Sequence, residues 1–456
     1  MGRIILAVLV AIASVPVYFL YLRSPPPLPP VDLEEWWGSA LSKSKQDDSI
    51  KPFKVEFTEV MIKDLKERLR DRHPLAPPLE GVAFEYGFNS KALDSWLKYW
   101  AEEYPFKARE EFFNKYPHFK TNIQRLTIHF IRVTPEVSTG VEIVPMLLLH
   151  GWPGSVREFY EAIPYLTAVS KNRNFAIELI IPSLPGYGFS SAAVKPGLGA
   201  DKVAVVFRNL MHRLGFKKYY IQGGDWGSTI GSIMATLFPD EIIGFHSNFP
   251  FLLSPSVPLL TLFGSILPSL IVSSEVQDRI FPLSKMYSNV VEETGYLHLQ
   301  ATKPDTIGVA LSDSPIGLAA YILEKFSTLT DMDNRKKSDG GLTAGFDKNQ
   351  LLDNIMVYWA TNSITTTMRI YSETLNKRFL ALQYYEIPTT VPTIVIQTKH
   401  EMSYTPIRAL KLKYLNLINE TSPNEGGHFL ALEKPEMFSK DVINAIQTFR
   451  EWHKNK

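Results

Sequence analysis

Apolar and polar positions follow two periods along most of the chain, one typical of β-strands and one of amphipathic helices. From Gln124 onward, short apolar runs alternate with helical periodicity, which favours a mostly parallel sheet flanked by helices. The predicted strands are Val144–Leu149, Ile177–Ile181, Lys218–Gln222, Ile242–Ser247 and Thr393–Gln397. The predicted helices between them are Val156–Thr167, Asp201–Leu214 and Ser228–Phe238.

The alternation stops between Asn248 and about Pro388, where proline, serine and helix formers dominate. An insertion over the carboxyl edge of the sheet is the natural interpretation. Ahead of the sheet, the aromatic and charged segment 32–120 has helical periodicity in Glu59–Arg72 and Ser90–Glu103. The predicted organisation is an anchor at 1–23, a proline-rich linker and N-terminal segment at 24–120, core at 121–248, a lid at 249–388, and core again at 389–456.

An uncharged apolar run of nineteen residues, Ile4–Leu22, lies between Arg3 and Arg23. At 1.5 Å per residue it would span about 28 Å of a roughly 30 Å hydrocarbon layer. A cleaved secretory signal is the alternative, since small residues occur at Ala11, Ala13 and Ser14. We expect an uncleaved single-pass anchor, because the apolar residues continue beyond those positions to Leu22.

The composition of the chain excludes several classes of function. The chain has 48 basic and 47 acidic side chains, for a net charge of +1, and no basic stripe of the kind that binds nucleic acid. An uncharged or membrane-dissolved partner fits better. The absence of cysteine excludes disulfides, thiol nucleophiles and every cysteine-based metal site.

The segment Gly223–Gly227 follows a predicted strand and precedes a predicted helix, with Asp225 at its centre. This matches the G-x-nucleophile-x-G elbow of α/β hydrolases, with aspartate in the position usually held by serine. Flanking glycines let strand and helix approach closely and leave the central side chain exposed at the sheet edge. A simple helix-capping loop is the alternative, because aspartate is a favoured N-cap residue.

Three other segments give the elbow a catalytic context. His150–Ser155 ends an apolar strand, where this fold places a backbone N–H of its oxyanion hole. Glu401 follows the last predicted core strand, and His428 lies in a late glycine-containing loop, so the chain order is nucleophile, acid, histidine. His400 has no partner at metal-ligand spacing, and we expect neither a metal nor another cofactor.

Together these motifs resemble the microsomal epoxide hydrolase family, and within it the branch of insect juvenile hormone epoxide hydrolases. The resemblance covers nearly the full length. It is carried by Glu35–Gly38, Ser49–Lys54, Tyr86–Ser90, His150–Ser155, Gly223–Ser228, Tyr296–Thr306 and Gly426–Phe429.

The resemblance implies an α/β-hydrolase core with a helical lid, a wrapping N-terminal segment and an anchor in the endoplasmic reticulum. It places the nucleophile on Asp225, the base on His428 and the acid that orients the base on Glu401. It places two lid tyrosines, which donate to the epoxide oxygen, on Tyr296 and Tyr371. It also implies a cis bond between Trp152 and Pro153. We expect the catalytic body to face the cytosol, although flanking charges do not fix the orientation.

These side chains fit a two-step hydrolysis of an apolar epoxide. Asp225, ionised at neutral pH, would open the ring and form an ester, and His428 would then activate a water molecule that attacks the ester carbonyl. The backbone N–H groups of Trp152 and Trp226 would stabilise the oxyanion, and a tyrosine would protonate the ring oxygen. The resemblance points to juvenile hormone as the substrate, with xenobiotic epoxides as lesser ones, and the product is a vicinal diol.

Two alternatives remain open from the sequence. A haloalkane dehalogenase also uses an aspartate nucleophile and a histidine base, but its halide leaves without a proton and has no need of phenols. A catalytically inactive hydrolase fold that binds an apolar hormone could keep the same core. Turnover of a chloroalkane but not an epoxide would indicate the first, and hormone binding without diol formation would indicate the second.

Overall fold

A computed structural model of the chain describes residues 23–39 and 47–456. In these residues nine strands form one sheet, in the order β1-β2-β3-β5-β4-β6-β7-β8-β9. The strands are β1 (Lys51–Phe53), β2 (His118–Ile123), β3 (Leu126–Val133), β4 (Glu142–Leu149), β5 (Phe175–Pro182), β6 (Tyr219–Gly223), β7 (Ile242–Ser247), β8 (Thr393–Ile396) and β9 (Leu417–Thr421). Strands β5, β4 and β6 to β9 are parallel, whereas β1, β2 and β3 join in antiparallel pairs.

The parallel strands align their carboxyl ends along one edge. Leu149 is the register partner of Gly223, Gly223 that of Ser247, and Ser247 that of Val395. The loops that follow β4, β6, β7 and β8 therefore begin side by side. In an open α/β sheet this is the edge where ligands bind.

The five predicted core strands are confirmed to within two residues at each end. The prediction missed β1, β2, β3 and β9. Strands β2 and β3 form a hairpin whose two-residue turn, Gln124–Arg125, has positive φ at both positions, 49° and 63°. Such turns are usually made by Asn-Gly or Gly-Gly, so Gln-Arg gave no recognisable signal.

Helices flank the parallel strands. They are α4 (Ile163–Thr167), α5 (Ala200–Arg213), α6 (Asp225–Leu237), α16 (Ile407–Lys413), α17 (Leu430–Glu433) and α18 (Pro435–Lys454). The predicted single helix Val156–Thr167 is wrong: a 3₁₀ turn, Val156–Phe159, precedes the short helix α4. Pro164 lies in the first turn of α4, where a missing N–H is tolerated, and could not continue a longer helix.

The chain between β7 and β8 is a helical insertion, which we define as residues 248–388. Its helices are α7 (Ser256–Gly264), α8 (Leu283–Glu293), α9 (Gly295–Thr302), α10 (Pro304–Asp313), α11 (Pro315–Thr328), α12 (Leu342–Gly345), α13 (Lys348–Thr361), α14 (Ile364–Thr374) and α15 (Lys377–Leu380). It occupies the place predicted for an insertion. From Tyr296 onward its buried apolar side chains belong to the same core as the sheet and its flanking helices, whereas five earlier ones form a separate small core: Leu260, Ile271, Val272, Val276 and Ile280.

The N-terminal segment contributes α1 (Glu59–Arg70), α2 (Ser90–Glu102) and α3 (Phe106–Phe113). It contacts both the sheet and the helical insertion. On the sheet side, β1 pairs with β2, and Trp37 N donates to Gln124 O at 3.0 Å. On the insertion side, Tyr104 Oη donates to Asp353 Oδ1 of α13 at 2.8 Å.

The predicted anchor, Ile4–Leu22, lies outside the described residues. Within residues 23–39 and 47–456, no single helix has both the length and the apolar character to cross a bilayer. The adjacent helices α10 and α11 reach those limits only as a pair, and they are bent by 118° at Ser314.

Candidate active site

Asp225 lies at the carboxyl end of β6, as the first residue of α6. Its φ of 48° is in the left-handed region, which a non-glycine residue seldom adopts. Glycines surround it because the backbones nearly touch: a Cβ at Gly223 would overlap Gly227 O, and one at Gly227 would overlap Leu149 O. The sequence therefore folds into the strained strand-to-helix turn expected of a nucleophile elbow.

The loop after β4 supplies a donor to this aspartate. Trp152 N donates to Asp225 Oδ1 at 2.7 Å, and the Trp152–Pro153 bond is cis. A Cβ at Gly151 would overlap the Asp225 carboxylate, so only glycine allows this approach. Trp226, the other expected donor, follows Asp225 in the first turn of α6, where backbone N–H groups lack partners within the helix.

His428 and Glu401 are adjacent in space. His428 Nδ1 lies 2.9 Å from Glu401 Oε1 and 3.0 Å from Oε2, and His428 Nε2 lies 3.4 Å from Asp225 Oδ2. Burial disfavours the imidazolium, but the carboxylates of Glu401 and Asp225 outweigh burial and hold the pKa of His428 well above its usual value. The three side chains thus form one row with histidine in the middle.

The histidine loop is held by a carboxylate that the sequence did not single out. Gly427 N donates to Glu433 Oε2 at 2.9 Å, and Phe429 N donates to Glu433 Oε1 at 2.8 Å. The backbone N–H of His428 itself donates to Leu329 O of the helical insertion at 3.0 Å. Burial raises the pKa of Glu433 to about 8. Glu433 is the last residue of α17, and its short spacing from His428 is the signal that could have located it.

Tyr296 of α9 and Tyr371 of α14 come from the helical insertion and lie beside the same row. The Tyr296 ring stacks on Trp152, with centroids 5.2 Å apart, and the Tyr371 ring meets Trp226 edge-on at 4.8 Å. The two tyrosine rings are 6.2 Å apart. Burial, together with the neighbouring Asp225 charge, raises the pKa of both phenols above the usual value, so both stay protonated.

Three hydrogen bonds connect helix α13 to the loop that carries Trp152. Asn354 Nδ2 donates to Pro153 O at 2.7 Å, Ser155 Oγ donates to Asn354 Oδ1 at 2.7 Å, and Tyr358 Oη donates to Gly154 O at 2.7 Å. No sequence motif indicated these contacts. They join residues about 200 positions apart, which only the fold brings together.

A fully buried ion pair also connects the chain just after the Trp152 loop to α13. Arg157, just after the loop, donates from Nε to Asp353 Oδ2 of α13 at 2.8 Å. Asp353 also binds Arg109 of the N-terminal segment, whose Nε donates to Oδ1 at 2.8 Å. The N-terminal segment, the Trp152 loop and the helical insertion are therefore linked at one carboxylate.

The structure brings all seven predicted site residues to the carboxyl edge of the sheet; their catalytic roles stay predictions. A further carboxyl, Glu158, has its pKa raised to about 8, chiefly by burial and also by Asp225. In the described ranges, no three His, Asp or Glu side chains are grouped so as to hold a metal ion. Chemically, Asp225 can act as a nucleophile, His428 as a base, and the two phenols as proton donors.

Comparisons with known proteins agree with this geometry. Residues 50–159 match the family model described as epoxide hydrolase N terminus, and residues 144–435 match that of the alpha/beta hydrolase fold. The chain is 63% identical over 442 residues to the juvenile hormone epoxide hydrolase of Bombyx mori, covering 97% of this chain and 96% of that protein. It is 43% identical over 418 residues to epoxide hydrolase 1 of Oryctolagus cuniculus, covering 90% and 92%.

Solved structures give the same result. The crystal structure of the Bombyx mori enzyme superimposes with a TM-score of 0.92, covering 93% of this chain and 100% of that chain at 63% identity. The epoxide hydrolase of Aspergillus niger gives a TM-score of 0.73 at 28% identity, covering 91% and 99%.

Proposed function

Because the chain belongs to the epoxide hydrolase family and is an epoxide hydrolase with the α/β hydrolase fold, we propose a mechanism that runs through an ester of Asp225. One observation carries the proposal: the Asp225 carboxylate lies between the Trp152 N–H and the His428 imidazole, with two phenols nearby. An ionised carboxylate can attack carbon without a base, which leaves His428 for a second step.

In the first step, Asp225 Oδ2 attacks one epoxide carbon and the carbon–oxygen bond of the ring breaks. Trp152 N–H occupies Oδ1, which leaves Oδ2 as the attacking oxygen. Tyr296 or Tyr371 gives its phenolic proton to the departing ring oxygen, which becomes the first hydroxyl of the product. Their raised pKa keeps these phenols protonated until negative charge develops.

In the second step, His428 takes a proton from water and the hydroxide adds to Asp225 Cγ. The negative charge falls on Oδ1, where the Trp152 N–H already points and where the Trp226 N–H would be the second donor. Loss of one such donor typically costs about 3 kcal/mol of barrier. Collapse releases the second oxygen of the diol, which takes the proton from His428. The Asp225 carboxylic acid then ionises, and that proton restores the phenol.

The requirement for a proton donor supports epoxide hydrolysis over dehalogenation. An alkoxide is too basic to leave unaided, whereas a halide leaves without a proton. Two phenols near enough for the Asp225 charge to raise their pKa suit the first leaving group, whereas the second has no need of them. The walls of the site, Trp152, Trp226 and Phe249, are apolar and suit a hydrocarbon chain. We assign the helical insertion as the lid that carries the two phenols.

The substrate follows from the relatives. Four similar proteins are named as juvenile hormone epoxide hydrolases, from Bombyx mori, Ctenocephalides felis and Manduca sexta. We therefore propose epoxidised terpenoid hormone esters of this type as the natural substrates, and other apolar epoxides as lesser ones. Such substrates dissolve in lipid. A membrane anchor at residues 4–22 in the endoplasmic reticulum, with the catalytic body in the cytosol, would place the enzyme beside them.

A trapping experiment tests the proposed ester. His428→Gln should alkylate at Asp225 but fail to hydrolyse the ester, so intact-protein mass spectrometry after mixing with an epoxide should show an adduct of the epoxide's mass. Asp225→Asn should show none. His298→Gln, at an exposed position on α9, serves as the matched control and should turn over normally. Absence of the adduct in His428→Gln would contradict the mechanism.

A further inference from the structure

One part of the helical insertion exposes an unusual density of large apolar side chains. Residues 247–274 contain no ionisable side chain. Within them, α7 and the turn that follows expose five side chains to between 44% and 78% of their area. These five define what we term the α7 apolar face: Leu262, Phe263, Ile266, Leu267 and Leu270. An exposed apolar group of this kind on a folded protein usually marks a binding surface.

The other side of α7 already has its packing partners. Leu260 is buried in a small core with Ile271, Val272, Val276 and Ile280. Gly264 lies so close to the Phe281 ring that a Cβ would overlap it. These contacts fix the orientation of α7. Its exposed apolar side chains therefore lie on the outer side of a helix whose inner side is packed.

The N-terminal end of the described chain lies beside this helix. Residues 23–26 line a surface pocket together with Leu252, Ser254 and Ser256, the last being the first residue of α7. Arg23 forms an ion pair with Glu386 at the same place. The uncharged run of residues 4–22 ends at Arg23, so it joins the catalytic body next to the start of α7.

Helix α16 adds cationic side chains to this side of the molecule. Its buried Ala409 packs in the same small core as Leu260 of α7. Its outer side exposes Arg408, Lys411 and Leu412, at the i, i+3, i+4 spacing of one helix face. Basic side chains beside leucines suit the boundary between anionic headgroups and acyl chains.

We propose that the α7 apolar face inserts into the interfacial region of a phospholipid bilayer, as a second membrane contact besides residues 4–22. The chain joins the body beside this face, the face bears no charge, and its neighbour supplies cations. The same uncharged segment begins at the active site, where the Phe249 ring meets the His428 ring at 5.3 Å. A bilayer at α7 would thus lie on the lid side that borders the catalytic base. This inference rests on the proposed anchoring and not on the ester mechanism.

The absence of cysteine makes a direct depth measurement possible. Ile266→Cys would place a nitroxide label on the α7 apolar face. Val60→Cys, on α1, places one at a position of matched exposure, 82% against 78%. The full-length variants are reconstituted into vesicles of phosphatidylcholine and phosphatidylserine. Collision of each label is then measured with oxygen, which enters lipid, and with a water-soluble nickel chelate.

At position 266 we expect access of oxygen and loss of access of the nickel chelate on reconstitution, with no such change at position 60. Leu267→Cys is a second site on the same face, in case one variant fails to fold. If label 266 stays as accessible to the chelate as label 60, the face is not in lipid. If neither reagent reaches it, protein covers it. Either result overturns the proposal.

Two further readings separate this inference from the proposed function. Flotation of the vesicles reports whether residues 4–22 anchor the chain. Diol formation by each labelled variant in detergent reports whether the active site is intact. Active, anchored protein with a water-exposed label 266 would contradict the membrane contact alone.

Discussion

Asp225 has a backbone conformation that costs a non-glycine residue about 1–3 kcal/mol, and the surrounding contacts must sustain it. Three glycines at 151, 223 and 227 let the neighbouring backbones approach, and Trp152 N–H binds the carboxylate. The result is a carboxylate held at the sheet edge within reach of His428. In the proposed mechanism, alkylation removes the Asp225 charge, which lowers the pKa of His428 just when a neutral base is needed.

Removal of a phenol should affect only the first step. Tyr371→Phe or Tyr296→Phe should slow alkylation by about 100-fold, and the double variant by more, because the ring oxygen loses its proton donor. Ester hydrolysis should be unchanged. Rapid-quench single-turnover kinetics separate the two rates.

Tyr321→Phe is the matched control for these variants. Its ring also contacts Trp152, at 5.8 Å, but its hydroxyl accepts a hydrogen bond from Gln300. It should alkylate at the normal rate. An equal loss in Tyr321→Phe, or a loss confined to hydrolysis in the other two, would show that the phenols act by packing and not as acids.

Glu401→Gln should shift the pH dependence of ester hydrolysis. Of the charges that raise the pKa of His428, that of Glu401 is the larger, so its removal lowers this pKa. Hydrolysis needs the neutral imidazole, whose population rises with pH through that pKa. The rising limb should therefore move to lower pH, while the plateau falls by about 100-fold or more because the ring loses its orienting partner. A limb that stays in place or moves to higher pH would contradict the proposed pairing.

Among the helices, α13 makes the hydrogen bonds that hold the Trp152 loop in position. Asn354→Ala would leave Pro153 O and Ser155 Oγ without their partner in a buried site. We expect the free energy of unfolding to fall by about 1–3 kcal/mol. We also expect kcat to fall by about 10-fold or more, because a small displacement of the Trp152 N–H weakens the oxyanion site.

Asn349→Ala on the same helix is the control for this variant. Asn349 binds Tyr99 of the N-terminal segment and not the loop. Its loss should lower stability without changing kcat. Thermal unfolding and steady-state kinetics on both variants check the comparison, and equal losses of kcat in the two would contradict a specific role for Asn354.

Elements with strong local signals were predictable, and those defined by distant partners were not. The parallel strands β4, β5, β6, β7 and β8 are apolar runs that their own composition identifies. Strand β9 lies at the sheet edge, has no buried residue and carries no such run. The elbow and the oxyanion loop were predictable because their glycines relieve backbone overlaps that any sequence would have to avoid.

The rest of the site depends on tertiary contacts. Asn354 and Tyr358 bind backbone groups of the Trp152 loop, and nothing in their local sequence indicates those partners. Tyr296 and Tyr371 were placed by family resemblance alone, because a chain with 20 tyrosines gives no physical reason to prefer two. The structure places both rings against the tryptophans that flank the nucleophile.

In the molecule as a whole, the helical insertion contributes both to the active site and to the outer surface. Its inner side supplies the two phenols, the Asn354 contacts and the Leu329 carbonyl that binds the His428 N–H. Its outer side carries the α7 apolar face beside the point where residue 23 enters. One segment of chain thus shapes the active site and presents the surface that we assign to the bilayer.

A single turnover in water enriched in the heavy oxygen isotope shows whether Asp225 forms the ester. Enzyme in excess over epoxide is mixed in labelled water, and the diol and the protein are analysed by mass spectrometry. If Asp225 forms the ester, the first diol carries only unlabelled oxygen, one atom from the epoxide and one from the carboxylate, and the label appears in the peptide that contains Asp225. A diol labelled in that first turnover, with unlabelled protein, would show direct attack by water and contradict the ester mechanism.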